Sequence, residues 1–241
     1  MRHFIYFSYD GTAYHGWQRQ PNALTVQEKL DGALSTLLRT NVQTVGAGRT
    51  DTGVHAHRMV AHFDADVPDA AQLCYRLNAM LPADIAVQRI EPVSEEMHAR
   101  FSAKSRTYHY YVCTSKNPFQ RHYAARFHFQ LDFQLMNEAA RLLLSTSDFT
   151  SFSRLHTDVK TNTCHVMRAL WTQQEPDLWR FEITADRFLR GMVRAIVGTL
   201  IDVGRGRLSI ADMQQIIQRK DRCAAADAAP PNALFLVDVA Y

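Results

Sequence analysis

Residues 45–57 read VGAGRTDTGVHAH, a glycine-rich stretch that holds one arginine, one carboxylate and two histidines. Apolar runs at 42–45 and 59–63 flank this stretch, and both predict short strands. Glycine is favoured where φ is positive or where another backbone or a ligand must come close. If the segment is extended, Arg49 and Asp51 point the same way, because side chains two positions apart share a face. We therefore take this loop as the candidate active site.

The composition is that of an ordinary globular protein. Hydrophobic residues make up 46% and charged residues 21% of the 241 positions, which is enough apolar material for a buried core. The formal net charge of +3 is mildly basic, and it suits a nucleic-acid partner as well as a plain basic surface. Composition therefore leaves the partner open.

The cysteines and the hydropathy pattern bear on location. No two of the four cysteines form a Cys-x-x-Cys pair, so we expect reduced thiols and no zinc finger. No apolar run reaches the roughly 18 residues that span a bilayer, and no secretory signal follows Met1. We expect a cytoplasmic protein with no membrane partner.

Predicted strands come in neighbouring pairs, with helices between the pairs. The predicted strands are 2–9, 42–45, 59–63, 85–89, 106–112, 123–131, 164–172, 179–185 and 234–241. The predicted helices follow Thr25, Ala70, Asp132, Phe188 and Ser209, and a long polar connection follows residue 152. This order predicts an α+β fold with two halves, 1–103 and 104–241. We expect each half to be a mainly antiparallel sheet backed by helices, with a cleft between the halves.

The residues of the loop leave its chemistry open. A phosphate-cradling loop fits poorly, because the third glycine of the dinucleotide fingerprint would fall at Asp51 and no Gly-Lys-Ser/Thr follows. A metal site would use Asp51, His55 and His57 as carboxylate and imidazole ligands. A third interpretation makes Asp51 a nucleophile or base that a flanking arginine keeps ionised. Asp51 is equally suited to a structural role as a turn residue that bonds its own backbone.

Several motifs, in order along the chain, resemble the bacterial tRNA pseudouridine synthase A family. They are YDGT at 9–12, GWQ at 16–18, TVQ at 25–27, GAGRTDTGVHA at 46–56, HARFSA at 98–103, RTY at 106–108, DFTSF at 148–152 and MVRAIVG at 192–198. The match spans nearly the whole chain, and the aspartate loop is its most specific part. The resemblance implies the pseudouridine synthase fold, in which two halves with antiparallel sheets surround a central cleft.

The resemblance also implies a reaction and a set of site residues. The family isomerises uridine to pseudouridine in the anticodon stem-loop of tRNA, at about positions 38 to 40. By resemblance, Asp51 is the catalytic nucleophile that attacks C1′ or C6, and Arg49 helps to displace the target base. Tyr108 matches the tyrosine that stacks on that base, and Arg194 matches the ion-pair partner of the aspartate. These roles suit the physics, since extruding a base costs a few kcal/mol and stacking returns about 1–3 kcal/mol.

The family resemblance implies no cofactor and no metal, because an isomerisation needs no redox partner. It implies a homodimer whose two subunits contact one tRNA. Two rival functions remain. One is a metal-dependent hydrolase that uses Asp51, His55 and His57, and the other is a non-catalytic tRNA-binding chaperone, which would have no need of an intact Asp51.

Overall fold

The computed structural model describes residues 1–154 and 161–241. The chain divides into two compact units. Unit 1 comprises Met1–Lys104 and Phe235–Tyr241, and unit 2 comprises Ser105–Leu234. Within the described residues, no helix is long and apolar enough to cross a membrane.

Unit 1 is built on a mainly antiparallel sheet. Its strands are β1 (Arg2–Tyr9), β2 (Val45–Gly46), β3 (His55–Asp64), β4 (Ile85–Val93) and, at the end of the chain, β9 (Leu234–Ala240). Strand β1 pairs antiparallel with both β3 and β4, and β2 pairs antiparallel with β3. Strand β9 is parallel to β3, with His55 opposite Phe235. The closing strand therefore belongs to unit 1, although the sequence placed it in the second half.

Two helices cover the sheet of unit 1. They are α1 (Val26–Leu38) and α2 (Ala70–Met80). Thr25 caps α1, since its side chain accepts a hydrogen bond from the backbone N–H of Glu28. Leu30 and Leu34, one turn apart, are fully buried, so this helix turns one apolar face toward the core.

Unit 2 holds the remaining strands. They are β5 (Ser105–Cys113), β6 (Ala125–Arg126), β7 (Val166–Glu175) and β8 (Leu178–Ala185). Strand β8 pairs antiparallel with both β5 and β7, and the short β6 is parallel to β5. The register places Tyr108 opposite Ile183 and Tyr110 opposite Phe181. These four side chains are buried and lie on one face of the sheet.

Within the part of unit 2 that the structure describes, there are also three helices and four short 3₁₀ segments. The helices are α3 (Phe133–Ala140), α4 (Met192–Gly204) and α5 (Ile210–Arg219). The 3₁₀ segments are Arg141–Ser145, Thr150–Phe152, Arg222–Ala224 and Pro231–Ala233. Helix α4 is buried along almost its whole length, and a Cβ at Gly198 would overlap the carbonyl of Asp227. The buried residues of α4 therefore belong to the core of this unit, and the chain at Asp227 packs closely against the helix.

The α+β fold class is confirmed, but several predicted strands differ in extent. The prediction of a strand at 123–131 is wrong, because only Ala125–Arg126 of that segment forms a strand. The rings of Phe127 and Phe129 contact each other at 5.4 Å, and Arg205 lies over the ring of Phe129. Tertiary packing thus uses the aromatic residues that gave this segment its strand propensity. The polar connection predicted after residue 152 lies partly outside the described residues.

The strand after the aspartate loop is longer than predicted. It begins at His55 and not near Met59, so both histidines of the quoted stretch lie in β3. Strand β2, in contrast, is limited to two residues. The loop itself is therefore short, spanning 47–54.

Candidate active site

The aspartate loop joins β2 to β3 and alternates between buried and accessible positions. Thr50 is 9% exposed, whereas Arg49 is exposed and Asp51 is partly exposed. The middle side chain anchors the loop in unit 1, and its two charged neighbours stay accessible to a substrate.

The hydroxyl of Thr50 ties the loop to two other segments. Its Oγ1 lies 2.8 Å from the hydroxyl oxygen of Tyr9, at the end of β1. It also accepts a hydrogen bond from the backbone N–H of Trp17 at 3.1 Å. One buried side chain thus fixes the backbone next to Asp51 against two parts of the chain that are 33 and 41 residues away.

Two glycines allow the backbone of the N-terminal segment to touch the loop. Gly16 has φ +86°, and a Cβ at that position would overlap the carbonyl oxygen of Thr50. A Cβ at Gly11 would overlap the carbonyl oxygen of Val54. Both positions therefore require glycine, because the two backbones are in direct contact. This contact explains why the motifs at 9–18 and 46–56 occur together.

Backbone hydrogen bonds close the loop around Asp51. The N–H of Val54 donates to the carbonyl of Asp51 at 3.1 Å, and the N–H of Gly53 donates to the carbonyl of Tyr14 at 3.3 Å. At the other end, the N–H of Ala47 donates to the carbonyl of Val60 at 2.8 Å. Asp51 thus lies in a turn that these three main-chain hydrogen bonds hold within unit 1.

The histidines of the metal hypothesis are used in packing. The rings of His55 and His57 both stack against Phe235, at centroid distances of 4.6 and 4.9 Å. The Nδ1 of His55 lies 3.0 Å from both the N–H of Gly11 and a carboxylate oxygen of Asp10. Burial also lowers the pKa of His57. Across the described residues, no three His, Cys, Asp or Glu side chains group as metal ligands.

Tyr108 lies on β5 in unit 2, on the face that carries the core of that unit. It is 8% exposed, and its ring meets the ring of Phe188 edge to face at 5.0 Å. The two rings prefer this geometry because the positive edge of one faces the negative face of the other. The ring of Tyr108 is therefore held in a fixed orientation.

Arg194 lies in the first turn of α4. Its Nε donates to the carbonyl of Ala229 at 2.7 Å, and the N–H of Ala229 donates back to the carbonyl of Arg194 at 2.9 Å. Burial raises the pKa of the Tyr110 phenol, and the positive charge of Arg194 offsets part of this increase. The arginine is thus held by the chain segment that precedes β9.

The predicted site residues fall into two groups. Arg49 and Asp51 are brought together in one loop of unit 1, while Tyr108 and Arg194 belong to unit 2. The pairing of Arg194 with Asp51 and the stacking role of Tyr108 stay predictions. Thr50, Tyr9 and Gly16, which position the loop, were not identified as functional residues from the sequence, although all three lie within the quoted motifs.

Two further motifs have structural roles. In DFTSF, the hydroxyl of Ser151 donates to the carbonyl of Ile216 and accepts from the N–H of Asp221. These two bonds join the motif to α5 and to the segment that follows α5. In HARFSA, the N–H of Ala99 donates to Nδ1 of His62 at 3.1 Å, and its carbonyl accepts from the hydroxyl of Tyr241. Each motif fixes a loop to its own unit.

Comparison with known proteins gives a family. The model of the tRNA pseudouridine synthase family matches residues 5–102 and 139–241, and the chain belongs to this family. A protein named tRNA pseudouridine synthase A from Bacteroides thetaiotaomicron is 58% identical, covering 100% of this chain and 91% of its own length. The protein of that name from Bacillus subtilis is 42% identical over 100% of this chain and 99% of its own. A solved structure of an unknown protein from Galdieria sulphuraria is 13% identical, and the match covers 81% of this chain and 86% of that one. Its TM-score of 0.23 is too low to indicate a shared fold.

Proposed function

We propose that this protein isomerises uridine to pseudouridine in the anticodon stem-loop of tRNA, at about positions 38 to 40, in the cytoplasm. The observation that carries the proposal is family membership, because the match includes both units and the relatives it resembles bear the name of this activity. The accessible carboxylate of Asp51, on a loop anchored by its buried neighbour Thr50, supports the proposal.

The reaction conserves every atom of the substrate. The bond from C1′ to N1 of uracil breaks, and a bond from C1′ to C5 forms. C5 loses a hydrogen and N1 gains one, so no oxidant, reductant or cofactor is consumed. This sequence of steps asks the protein for a carboxylate nucleophile, whether it attacks C1′ or C6, and for a base that accepts the proton leaving C5.

Asp51 is the proposed nucleophile and Arg49 the residue that helps to displace the target base. A base within a stack must be extruded before a carboxylate can reach it, at a cost of a few kcal/mol. An exposed guanidinium two residues from the nucleophile is well suited to fill the space that the base leaves. Tyr108 is the proposed stacking surface, and Arg194 is the proposed partner that keeps Asp51 ionised.

The first test compares wild-type protein with Asp51→Asn on an unmodified tRNA transcript. Pseudouridine is mapped by carbodiimide labelling and primer extension. We expect stops in the anticodon arm with the wild type and none with Asp51→Asn, because an amide is not a nucleophile of comparable strength. Asp66→Asn, which changes an exposed aspartate of the same unit, is the matched control and should leave the stops unchanged.

The same experiment separates the rival functions. Tight binding of tRNA by the wild type without any stops would favour the chaperone. Loss of activity in a chelator, with recovery on adding zinc, would favour a metal-dependent enzyme. Stops that persist in Asp51→Asn would overturn the role of Asp51 without overturning the reaction.

A further inference from the structure

A basic cavity in unit 2 lies outside the residues assigned to catalysis. Its volume is about 410 Å³, and it opens between the end of β5, the connection that follows it and the segment before β9. The residues that line it include three cations, Lys116, Arg121 and Arg126, together with the amide side chains of Asn117 and Asn232. Among the described residues that line it there is no carboxylate.

The walls of the cavity are built by an ordered turn. The chain leaves β5, turns through 114–124 and returns as β6, parallel to the strand that it left. Within the turn, the N–H of Phe119 donates to the side chain of Asn117 at 2.9 Å, and Nη1 of Arg121 donates to the carbonyl of Pro118 at 2.6 Å. The floor is apolar, formed by Cys113 and Ala124, which pack with Leu178.

The cations of the cavity are exposed and differ in how they are engaged. Arg121 takes part in the turn itself. Lys116 and Arg126 make no ion pair among the described residues. Asp177, which is not a lining residue, accepts a hydrogen bond from the hydroxyl of the lining residue Ser115 at 2.8 Å. Two cations without an ion pair among the described residues and the three amides of Asn117, Gln120 and Asn232 lie around an apolar floor. Together they suit a phosphodiester with its attached sugar.

Two features connect this cavity with RNA. Phe119, between two lining residues, is 89% exposed, and an exposed aromatic ring among cations is typical of surfaces on which nucleotides stack. Cys113 lies five residues from Tyr108 on the same strand, which is about 17 Å at about 3.4 Å per residue. A single RNA molecule easily reaches both positions.

We propose that this cavity binds a backbone phosphate of the tRNA, away from the uridine that is modified. The inference rests on the proposed function, because it takes the same tRNA as its ligand. Neutralising a phosphate contact releases counterions, so the site contributes to the salt dependence of binding. It supplies affinity and orientation and carries no part of the chemistry.

The test uses two double variants of equal charge. Lys116→Gln/Arg126→Gln removes the unpaired cations and leaves Arg121, which holds the turn, unchanged. Arg141→Gln/Arg219→Gln removes two exposed cations of unit 2 outside the cavity. The dissociation constant for tRNA is measured for both variants and the wild type over a series of KCl concentrations. Thermal unfolding checks that all three proteins are folded.

We expect the cavity variant to bind tRNA more weakly at low salt. We also expect the negative slope of log K (K being the association constant) against log [KCl] to become shallower by about 1. The control variant should keep the slope close to that of the wild type. Equal slopes for the two variants would overturn the proposal. A second result would also overturn the proposal: the wild type binds inorganic phosphate, the cavity variant does not, and the two proteins show the same tRNA slope. The cavity would then bind a free anion and not the tRNA. Formation of pseudouridine by the wild type is measured on the same tRNA, so a failure of the proposed function is seen separately.

Discussion

At the scale of single residues, the position of Asp51 depends on neighbours that have no part in the proposed chemical steps. Thr50 is buried and bonded to Tyr9 and Trp17, and Gly16 lets the two backbones meet. A nucleophile must be held within a fraction of an ångström of its productive position. In the proposed reaction, the motif around Gly16 therefore acts through the loop that it supports.

Gly16→Ala tests this dependence. Its positive φ and the overlap of a Cβ with the carbonyl of Thr50 both oppose the substitution. We expect a loss of at least about 1–2 kcal/mol in the free energy of unfolding, together with reduced pseudouridine formation. Urea unfolding and the mapping assay measure the two effects.

Gly48→Ala is the matched control, because it lies in the aspartate loop that Gly16 contacts and a Cβ there meets nothing within 4 Å. Its free energy of unfolding should change by less than about 1 kcal/mol. If the two substitutions destabilised the protein equally, the close contact at Gly16 would not be the cause.

At the scale of elements, strand β3 supports two loops. Its first residue follows the aspartate loop, and its later residue His62 holds the segment 94–102 through the hydrogen bond to Ala99. Burial lowers the pKa of His62 to about 4, and the charges of His98 and Arg2 add to this, while Asp64 opposes it. The neutral ring is therefore the form that the fold requires.

This predicts a loss of stability in mild acid. The pKa of His62 falls from 6.5 to about 4 on folding, so between these values the unfolded chain binds more protons than the folded one. The free energy of unfolding should therefore decrease as the pH falls from about 6.5 to about 4. His62→Asn keeps an acceptor for the N–H of Ala99 and cannot titrate in this range, so its pH dependence should be shallower. Denaturant unfolding at a series of pH values would show an unchanged slope if His62 were not responsible.

At the scale of the whole molecule, the chain forms two units, and unit 1 is made of two separate stretches of the sequence. The last strand returns to pair with β3, so the final seven residues belong to unit 1. The C-terminal Tyr241 also donates its hydroxyl hydrogen to the carbonyl of Ala99. Unit 1 is therefore incomplete without the end of the chain.

We predict that the protein is a homodimer in solution, as the family resemblance implies. Light scattering after size exclusion should give a mass of about twice the 27.5 kDa of one chain. The measurement should be made with and without tRNA, at the protein concentration of the activity assay. A single-chain mass under conditions of full activity would contradict the prediction.

Much of the local structure could be predicted from the sequence. Thr25, Asp132 and Ser209 each cap the helix that they precede, because a side-chain oxygen placed before an apolar periodic run satisfies the free N–H groups of the first turn. The α+β class follows from the order of strands and helices. The family motif also indicated the aspartate loop as the candidate site.

Tertiary structure alone decided how distant segments meet. Nothing local predicts that Thr50 bonds Tyr9 and Trp17, that the closing strand joins unit 1, or that the aromatic residues 127 and 129 pack instead of forming a strand. Capping and periodicity act between residues a few positions apart, so they can be recognised in the sequence. Strand pairing and close backbone contact depend on which surfaces are buried together, and this is settled only when the whole chain has folded.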